Sequence, residues 1–147
     1  MNQPLNAVLS SLPHGPEFRF LDRLLDLEPG KSGVAEYTMR GDEPFLRGHF
    51  PGQPLMPGVL LLEAAAQLAG TIAQSDPTVP PISGLKLTAV RGAKILGTAR
   101  PGEVIRLEAR VLGRLNNLVH AQGSAWVSGR LVLQAELTLG GEAAAST

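Results

Sequence analysis

The sequence predicts an α+β fold in which one antiparallel sheet wraps around one long α-helix. Three observations lead to this prediction. A single apolar run, near residues 55–73, is long enough for a helix. Strand-like segments stand on both sides of this run, and Gly, Pro and Asn residues separate them. Strands gathered around one helix are typical of α+β domains, in which helix and sheet cover each other's apolar faces.

The elements before the helix are two strands and a loop. Residues 18–33 form a predicted strand that turns at Pro29–Gly30, and residues 33–41 alternate between two faces as a second strand does. Residues 42–58, "DEPFLRGHFPGQPLMPG", hold several prolines and glycines and form a predicted loop. Long loops inside compact domains are often functional.

The helix and the later strands follow this loop. Pro57 suits the first helical turn, where its missing N–H costs nothing, and the predicted helix runs to about Gln74. A hairpin turn is expected at Ser128–Gly129, and residues 140–147 are expected to form a flexible tail. The later strand-like segments cover residues 83–90, 91–99, 103–115, 118–129 and 130–139.

Length and composition indicate one folded domain over residues 1–147. Hydrophobic residues make up 44% of the chain and charged residues 18%, which supplies a packed core and argues against disorder. There is no cysteine, which excludes disulfides, thiolate metal sites and a cysteine nucleophile. The three histidines match no zinc-binding spacing, so we expect neither a metal nor a cofactor.

Charge and hydropathy disfavour nucleic-acid binding and membrane insertion. Thirteen basic and thirteen acidic residues cancel, so non-specific nucleic-acid binding is not expected. The N-terminus lacks the pattern of a secretory signal. Glu63 and Gln67 interrupt the apolar run, whereas a membrane span needs about 20 apolar residues. We therefore expect a cytoplasmic protein without a membrane span.

One polar stripe crosses the predicted helix. Glu63, Gln67 and Thr71 recur at every fourth position and share one face, while the other faces are apolar. A carboxyl group on a buried helix must be hydrogen-bonded or protonated, and a protonated carboxyl is what a general acid needs. Glu63 is therefore a candidate catalytic residue, and burial beside an arginine is the structural alternative.

The segment "GHFPGQPLMPGVLLLEAAAQ", residues 48–67, resembles a known signature, H-F-P-x-x-P-x-M-P-G-V-L-x-x-E-A-x-A-Q. That signature belongs to the (3R)-hydroxyacyl-[acyl-carrier-protein] dehydratases of type II fatty-acid synthesis, and the chain is most similar to their FabZ type. The similarity extends over residues 12–139 and includes "LPHGPEFRFLDR" and "ARPGE". Related decanoyl dehydratase-isomerases have Asp where this chain has Glu63, so isomerase activity is not expected.

The resemblance implies a hot-dog fold and a homodimer, often assembled into a trimer of dimers. It implies an active site at the dimer interface, where His49 of one subunit faces Glu63 of the other. Neutral His49 would remove the C2 proton, and Glu63, directly or through a water, would protonate the leaving hydroxide. The N–H of Gly58 would stabilise the thioester oxygen, and Gln67 would orient Glu63. Other residues expected at the substrate site are Phe50, Pro57 and Val59.

A basic segment suggests where the substrate's protein carrier docks. Residues 84–114 hold seven basic and two acidic residues, a formal charge of +5, which leaves −5 for the remainder. Carriers of this pathway are acidic and hold the acyl group on a phosphopantetheine arm. We expect Lys94, Arg100 and Arg91 to contact the carrier, although solvated strand positions would carry the same charges.

The same segment departs from the family pattern. Residues 93–102, "AKILGTARPG", align with the pattern A-R-F-K-R-P-V-x-P-G. Lys94 matches it, but Ile95 replaces the aromatic residue and Leu96–Gly97 replace a basic pair. This departure motivates one alternative to the dehydratase, a catalytically weak subunit that binds the acyl carrier. A hot-dog thioesterase and a CoA-linked hydratase are further alternatives, because the implied fold hosts both. The acyl chain length and the pathway served are not written in the sequence.

Overall fold

One sheet and one helix make up the described part of the chain. The computed structural model describes residues 9, 19–43, 46 and 55–142. The strands form one antiparallel sheet in the order β1-β2-β4-β5-β6-β3. In chain order the elements are β1 (Arg23–Glu28), β2 (Ser32–Thr38), α1 (Gly58–Gln74), β3 (Ser83–Ile95), β4 (Val104–Leu115), β5 (Leu118–Val127) and β6 (Arg130–Glu142).

The predicted α+β arrangement is confirmed, because one face of this sheet packs against α1. Along β4, Ile105 and Leu107 are buried, while Arg106 between them is exposed. Along β5, Val119 and Ala121 are buried in the same alternating pattern. Alternation gives the sheet one apolar face, and burial of that face against the helix drives the packing.

Small residues let α1 lie close to the sheet. Ala65 of α1 is fully buried, and Gly123 of β5 faces it. A Cβ at Gly123 would come within 3.0 Å of the Ala65 Cβ, so a larger residue at either position would separate the two layers. Although α1 is mostly apolar, no helix in the described residues is long and apolar enough to cross a membrane.

Side-chain hydrogen bonds fix the C-terminal end of α1. Arg114 donates to the carbonyl of Ala73 at 3.3 Å and to that of Pro80 at 2.6 Å. The amide of Gln74 donates to the carbonyl of Ile82 at 2.6 Å and accepts the Ile82 N–H at 2.9 Å. A cation is favourable at a helix C-terminus, where carbonyl groups lack helical partners. Arg114 therefore stabilises the connection between α1 and β3.

The predicted turns occur where residues with positive φ are available. β5 and β6 are joined at Ser128 and Gly129, with φ of 50° and 77°, as expected for a two-residue hairpin. β1 and β2 are joined through Gly30, whose φ is 75°. Asn116, with φ of 56°, lies in the turn between β4 and β5.

β3 differs from the expectation of two separate segments, residues 83–90 and 91–99. It is one strand of 13 residues that ends at Ile95. Its ladder with β6 shifts register around Gly84 and Gly92, whose φ values are 66° and 62°. Glycine tolerates these angles, so the strand bulges at each of these points and continues.

β6 extends into the segment predicted to be a C-terminal tail. β6 continues to Glu142, which lies opposite Ser83, and the N–H of Gly141 donates to the carbonyl of Asn117 at 3.1 Å. The prediction of a flexible tail is therefore wrong for residues 140–142. Gly141 stands where the sheet is crowded, because a Cβ there would lie 2.5 Å from the Ser83 carbonyl oxygen. Residues 143–147 lie outside the described residues.

Candidate active site

The described part of the candidate site lies in the first three turns of α1. His49 and Phe50 lie outside the described residues, as does His14. The site residues that the structure describes are Pro57, Gly58, Val59, Glu63 and Gln67.

The start of α1 presents a backbone N–H group. Pro57 precedes the helix with a φ of −58°, and no side chain caps the helix. The carbonyl of Pro57 accepts the N–H groups of Leu60 at 2.9 Å and Leu61 at 3.2 Å. The N–H of Gly58 has no acceptor among the described residues. Because a helix N-terminus carries partial positive charge, this N–H can stabilise a negatively charged oxygen.

Gly58 is closely packed against the end of β3. A Cβ at this position would lie 2.8 Å from Cδ1 and 2.9 Å from Cγ2 of Ile95, so a side chain fits only if Ile95 moves. Val59 beside it is 67% exposed. The donor at the helix start therefore has apolar side chains, those of Ile95 and Val59, beside it.

Gln67 links Glu63 to the segment before β1. Its amide nitrogen donates to Glu63 Oε2 at 3.1 Å, and its amide oxygen accepts the N–H of Phe20 at 2.9 Å. Gln67 is 2% exposed and Glu63 is half-buried. A backbone N–H can only donate, so the contact with Phe20 orients the amide and directs its NH₂ group at the carboxyl. An orienting role for Gln67 requires this contact.

Thr71, the third residue of the polar stripe, is satisfied within the helix. Its hydroxyl donates to the carbonyl of Gln67 at 2.8 Å, and its side chain is buried. Hydroxyl groups in helices often bond the carbonyl four residues earlier. The stripe therefore contributes two polar side chains to the site, Glu63 and Gln67.

A buried carboxylate, Glu43, holds the start of the loop that carries the predicted base. It accepts hydrogen bonds from the Tyr37 hydroxyl at 2.7 Å and from the N–H groups of Arg40 at 2.8 Å and Gly41 at 2.7 Å. Burial raises the pKa of the Glu43 carboxyl, but these bonds outweigh burial and lower the pKa below its ordinary value. Burial, and then the neighbouring Glu43, raise the pKa of Tyr37 above its ordinary value.

No pattern in the sequence singles out Glu43, because an acidic residue beside a proline is typical of an exposed turn. Its burial follows from packing against β2. The Tyr37 ring lies edge-on to Phe20 with centroids 5.8 Å apart, and the Arg40 guanidinium lies 5.3 Å above that ring. The alternating pattern of β2 places Tyr37 on the buried face, where its hydroxyl needs a polar partner. This pattern is the sequence signal that could have indicated Glu43.

Both ends of the loop attach to one segment, residues 98–103. Before the loop, the carbonyl of Met39 accepts the N–H of Gly102 at 2.6 Å. Near the end of the loop, the N–H of Met56 donates to the carbonyl of Ala99 at 2.9 Å. Met39 and Met56 are buried. The loop therefore begins and ends at fixed points of the fold.

The basic segment, residues 84–114, contains some cations that make ion pairs or hydrogen bonds and others that are exposed without an ion pair. Arg106 pairs with Glu108 at 2.8 Å, and Arg114 holds the end of α1. The predicted docking residues are exposed, and their side chains make no ion pair with any residue in the described ranges: Arg91, Lys94 and Arg100. Three cations available to a partner therefore lie on β3 and in the segment that follows it.

Comparisons with known proteins give a family. The FabA-like domain family matches residues 12–136. The 3-hydroxyacyl-[acyl-carrier-protein] dehydratase FabZ of Syntrophotalea carbinolica is 38% identical over 135 residues, which cover 88% of each chain. Its namesake from Geotalea uraniireducens is 38% identical over 136 residues, which cover 90% of this chain and 92% of the relative.

Solved structures give the fold. The dehydratase heterocomplex ApeI:P from Xenorhabdus doucetiae is similar with a TM-score of 0.77 at 17% identity, over 92% of this chain and 90% of that one. Zebra fish thioesterase superfamily member 2 is similar with a TM-score of 0.67 at 18% identity, over 93% and 92%. These likenesses confirm the predicted hot-dog fold.

Proposed function

The chain belongs to the FabA-like family and is a 3-hydroxyacyl-[acyl-carrier-protein] dehydratase of fatty-acid biosynthesis, and we propose that His49 and Glu63 carry out its reaction. The reaction takes a proton from C2 and hydroxide from C3 of a (3R)-hydroxyacyl thioester. Water and a trans-2-enoyl thioester are the products. The site must therefore supply a base, an acid and a donor for the thioester oxygen.

The contact between Gln67 and Glu63 is the observation that carries this proposal. An N–H donor on Oε2, at 3.1 Å, restricts the carboxyl rotamer and favours a proton on the other oxygen, Oε1. Protonated Glu63 can deliver that proton to the C3 hydroxyl, directly or through a water, so that water leaves. A solvated glutamate on a helix surface would need no buried amide to orient it.

His49 is the proposed base. Its neutral imidazole accepts the C2 proton, and this proton must return to Glu63 before the next turnover. The fixed ends of the loop, at Met39 and Met56, support this assignment, because a base must stay within hydrogen-bond reach of the proton that it removes.

The N–H of Gly58 is the proposed donor to the thioester oxygen. As C2 loses its proton, negative charge develops on that oxygen, and a backbone N–H at a helix start stabilises it without reorganisation. Val59, which is 67% exposed, and Pro57 provide apolar surface beside the donor. Phe50 is proposed to contribute to the same surface.

The proposed assembly is a homodimer formed along β3. Among the described strands β3 pairs only with β6, so one edge of this 13-residue strand is open. Exposed apolar residues lie on or beside it: Val90 at 40%, Ile95 at 52% and Leu96 at 59%. A long edge strand presents unpaired N–H and C=O groups that another chain can pair with, and the exposed apolar residues add surface for such a contact.

Pairing along β3 would also support a shared active site. Ile95 contacts Gly58, so the helix start lies beside the edge that pairs. In this arrangement His49 of one subunit would face Glu63 of the other. Further assembly of dimers into a trimer of dimers stays a prediction, as does a cytoplasmic location.

The acidic carrier is proposed to dock on Lys94, Arg100 and Arg91. Lys94 precedes Ile95, which packs against Gly58, so a carrier held there could pass its phosphopantetheine arm to the helix start. Exposed charges chiefly increase the rate of encounter.

A turnover assay tests the proposed function against its alternatives. The purified chain is given 3-hydroxyacyl-carrier proteins of several chain lengths and the same acyl groups on CoA. We expect enoyl product with the higher kcat/KM on the carrier, and loss of product in Glu63→Gln. Thiol release without enoyl product would indicate a thioesterase, and a preference for CoA would indicate a hydratase. Carrier binding without turnover would indicate a catalytically weak subunit. Each of these results would contradict the proposal.

A further inference from the structure

Thr98 makes a hydrogen bond to Met56, which lies two residues before the start of α1. Its hydroxyl donates to the carbonyl of Met56 at 2.7 Å, and the carbonyl of Ala99 accepts the Met56 N–H at 2.9 Å. Met56 is 1% exposed, so water is not an alternative partner for its backbone groups. Both polar groups of Met56 therefore depend on the same short segment.

The Met56 carbonyl lies close in the chain to the Gly58 N–H and restrains its direction. Only Pro57 separates the two residues, and its ring restricts φ, which is −58° here. The Pro57 carbonyl belongs to the first helical turn, where it accepts two N–H groups. The torsions that can still tilt the helix start are ψ of Met56 and ψ of Pro57, and the hydrogen bond from Thr98 restrains the first.

We propose that Thr98 is a positioning residue for the thioester-oxygen site, where it keeps the Gly58 N–H directed at the oxygen. The inference rests on the proposed function, which assigns this N–H to that oxygen. Thr98 itself touches no reacting atom. The family pattern A-R-F-K-R-P-V-x-P-G has proline at this position, and proline has no side-chain donor, so the pattern would not predict this contact.

The test compares two substitutions at position 98 with one elsewhere. Thr98→Val keeps the shape and removes the hydroxyl, whereas Thr98→Ser keeps the hydroxyl. Ser75→Ala is the matched control, because the Ser75 hydroxyl also donates to a backbone carbonyl, that of Ile72 at 2.6 Å, at the opposite end of α1. Thr98→Ala is a second variant without the hydroxyl, for use if Thr98→Val fails to fold.

We expect Thr98→Val to lower kcat about tenfold with KM changed less than about twofold, because a small displacement of a donor weakens transition-state binding most. Thr98→Ser and Ser75→Ala should keep kcat within about twofold of wild type. If wild type turns over and both Thr98→Val and Thr98→Ala match Ser75→Ala, the positioning role is wrong. If Thr98→Ser loses as much activity as Thr98→Val, the hydroxyl is not responsible. An inactive wild type would instead reject the proposed function.

Discussion

Gln67 holds the carboxyl group of Glu63 with one end of its amide and the backbone of Phe20 with the other. The two hydrogen bonds have different roles. The contact with Phe20 stabilises the fold, because a buried N–H without an acceptor is costly. The contact with Glu63 orients a side chain that is proposed to react. A substitution of Gln67 should therefore affect both stability and catalysis.

Gln67→Met tests the two contacts together. It removes both hydrogen bonds, and we expect the free energy of unfolding to fall by about 1–3 kcal/mol, because the Phe20 N–H loses its acceptor. Since Glu63 loses its donor, we also expect kcat to fall about tenfold. Denaturant unfolding and kcat check this, and wild-type kcat in folded Gln67→Met would contradict an orienting role.

Removing either reacting group should nearly abolish turnover. We expect His49→Ala and Glu63→Gln each to lower kcat by at least about 100-fold with the fold intact. Thermal unfolding verifies the fold. Glu136→Gln, at an exposed carboxylate on β6, is the matched control and should keep its activity. Near-normal turnover by Glu63→Gln would remove the acid role from this residue.

A site shared between two subunits predicts complementation. A mixed dimer of His49→Ala and Glu63→Gln subunits has one site with both changes and one site with neither. Mixing the two inactive proteins should therefore restore part of the activity. Subunit exchange is verified first, with differently tagged chains. If exchange occurs and no activity returns, the two groups do not come from different subunits.

Charge reversal at the proposed docking surface should affect the carrier-linked substrate most. We expect Lys94→Glu with Arg100→Glu to raise KM for acyl-carrier protein with a smaller change in kcat, and to change KM little for a short acyl thioester of N-acetylcysteamine. Lys31→Glu is the control, because Lys31 is exposed and lies away from the start of α1. Its neighbour Gly30 donates its N–H to the carbonyl of Ile72, near the C-terminal end of that helix. A KM that is independent of salt, and unchanged by the reversals, would place docking elsewhere.

Glu43 predicts a specific loss of stability in acid. Its folded-state pKa is lowered, so its contribution is present above the unfolded pKa and is lost as pH falls through the folded pKa. At neutral pH, Glu43→Gln should lower the free energy of unfolding by about 1–3 kcal/mol. The difference from wild type should narrow as the pH falls from about 5 towards 3. Denaturant unfolding across this range checks it, and a constant difference would contradict the assignment.

The parts of the fold that depend on residues close together in the sequence could be predicted. The helix boundaries follow from Pro57 and from the apolar run that ends at Gln74, and the structure places α1 at Gly58–Gln74. The polar stripe follows from four-residue spacing. The division of β3 was mispredicted because a glycine marks a break or a bulge equally well in a sequence. Only the ladder with β6 distinguishes the two.

The reaction class, the helix and the residues on its polar face could be predicted, because motif and periodicity are local properties of the sequence. The contacts of those residues depend on the tertiary structure. Gln67 meets Phe20 across 47 residues, Thr98 meets Met56 across 42, and Arg114 meets Ala73 across 41. Such contacts form only when the sheet has wrapped around the helix, since burial then limits the partners that remain for each polar group.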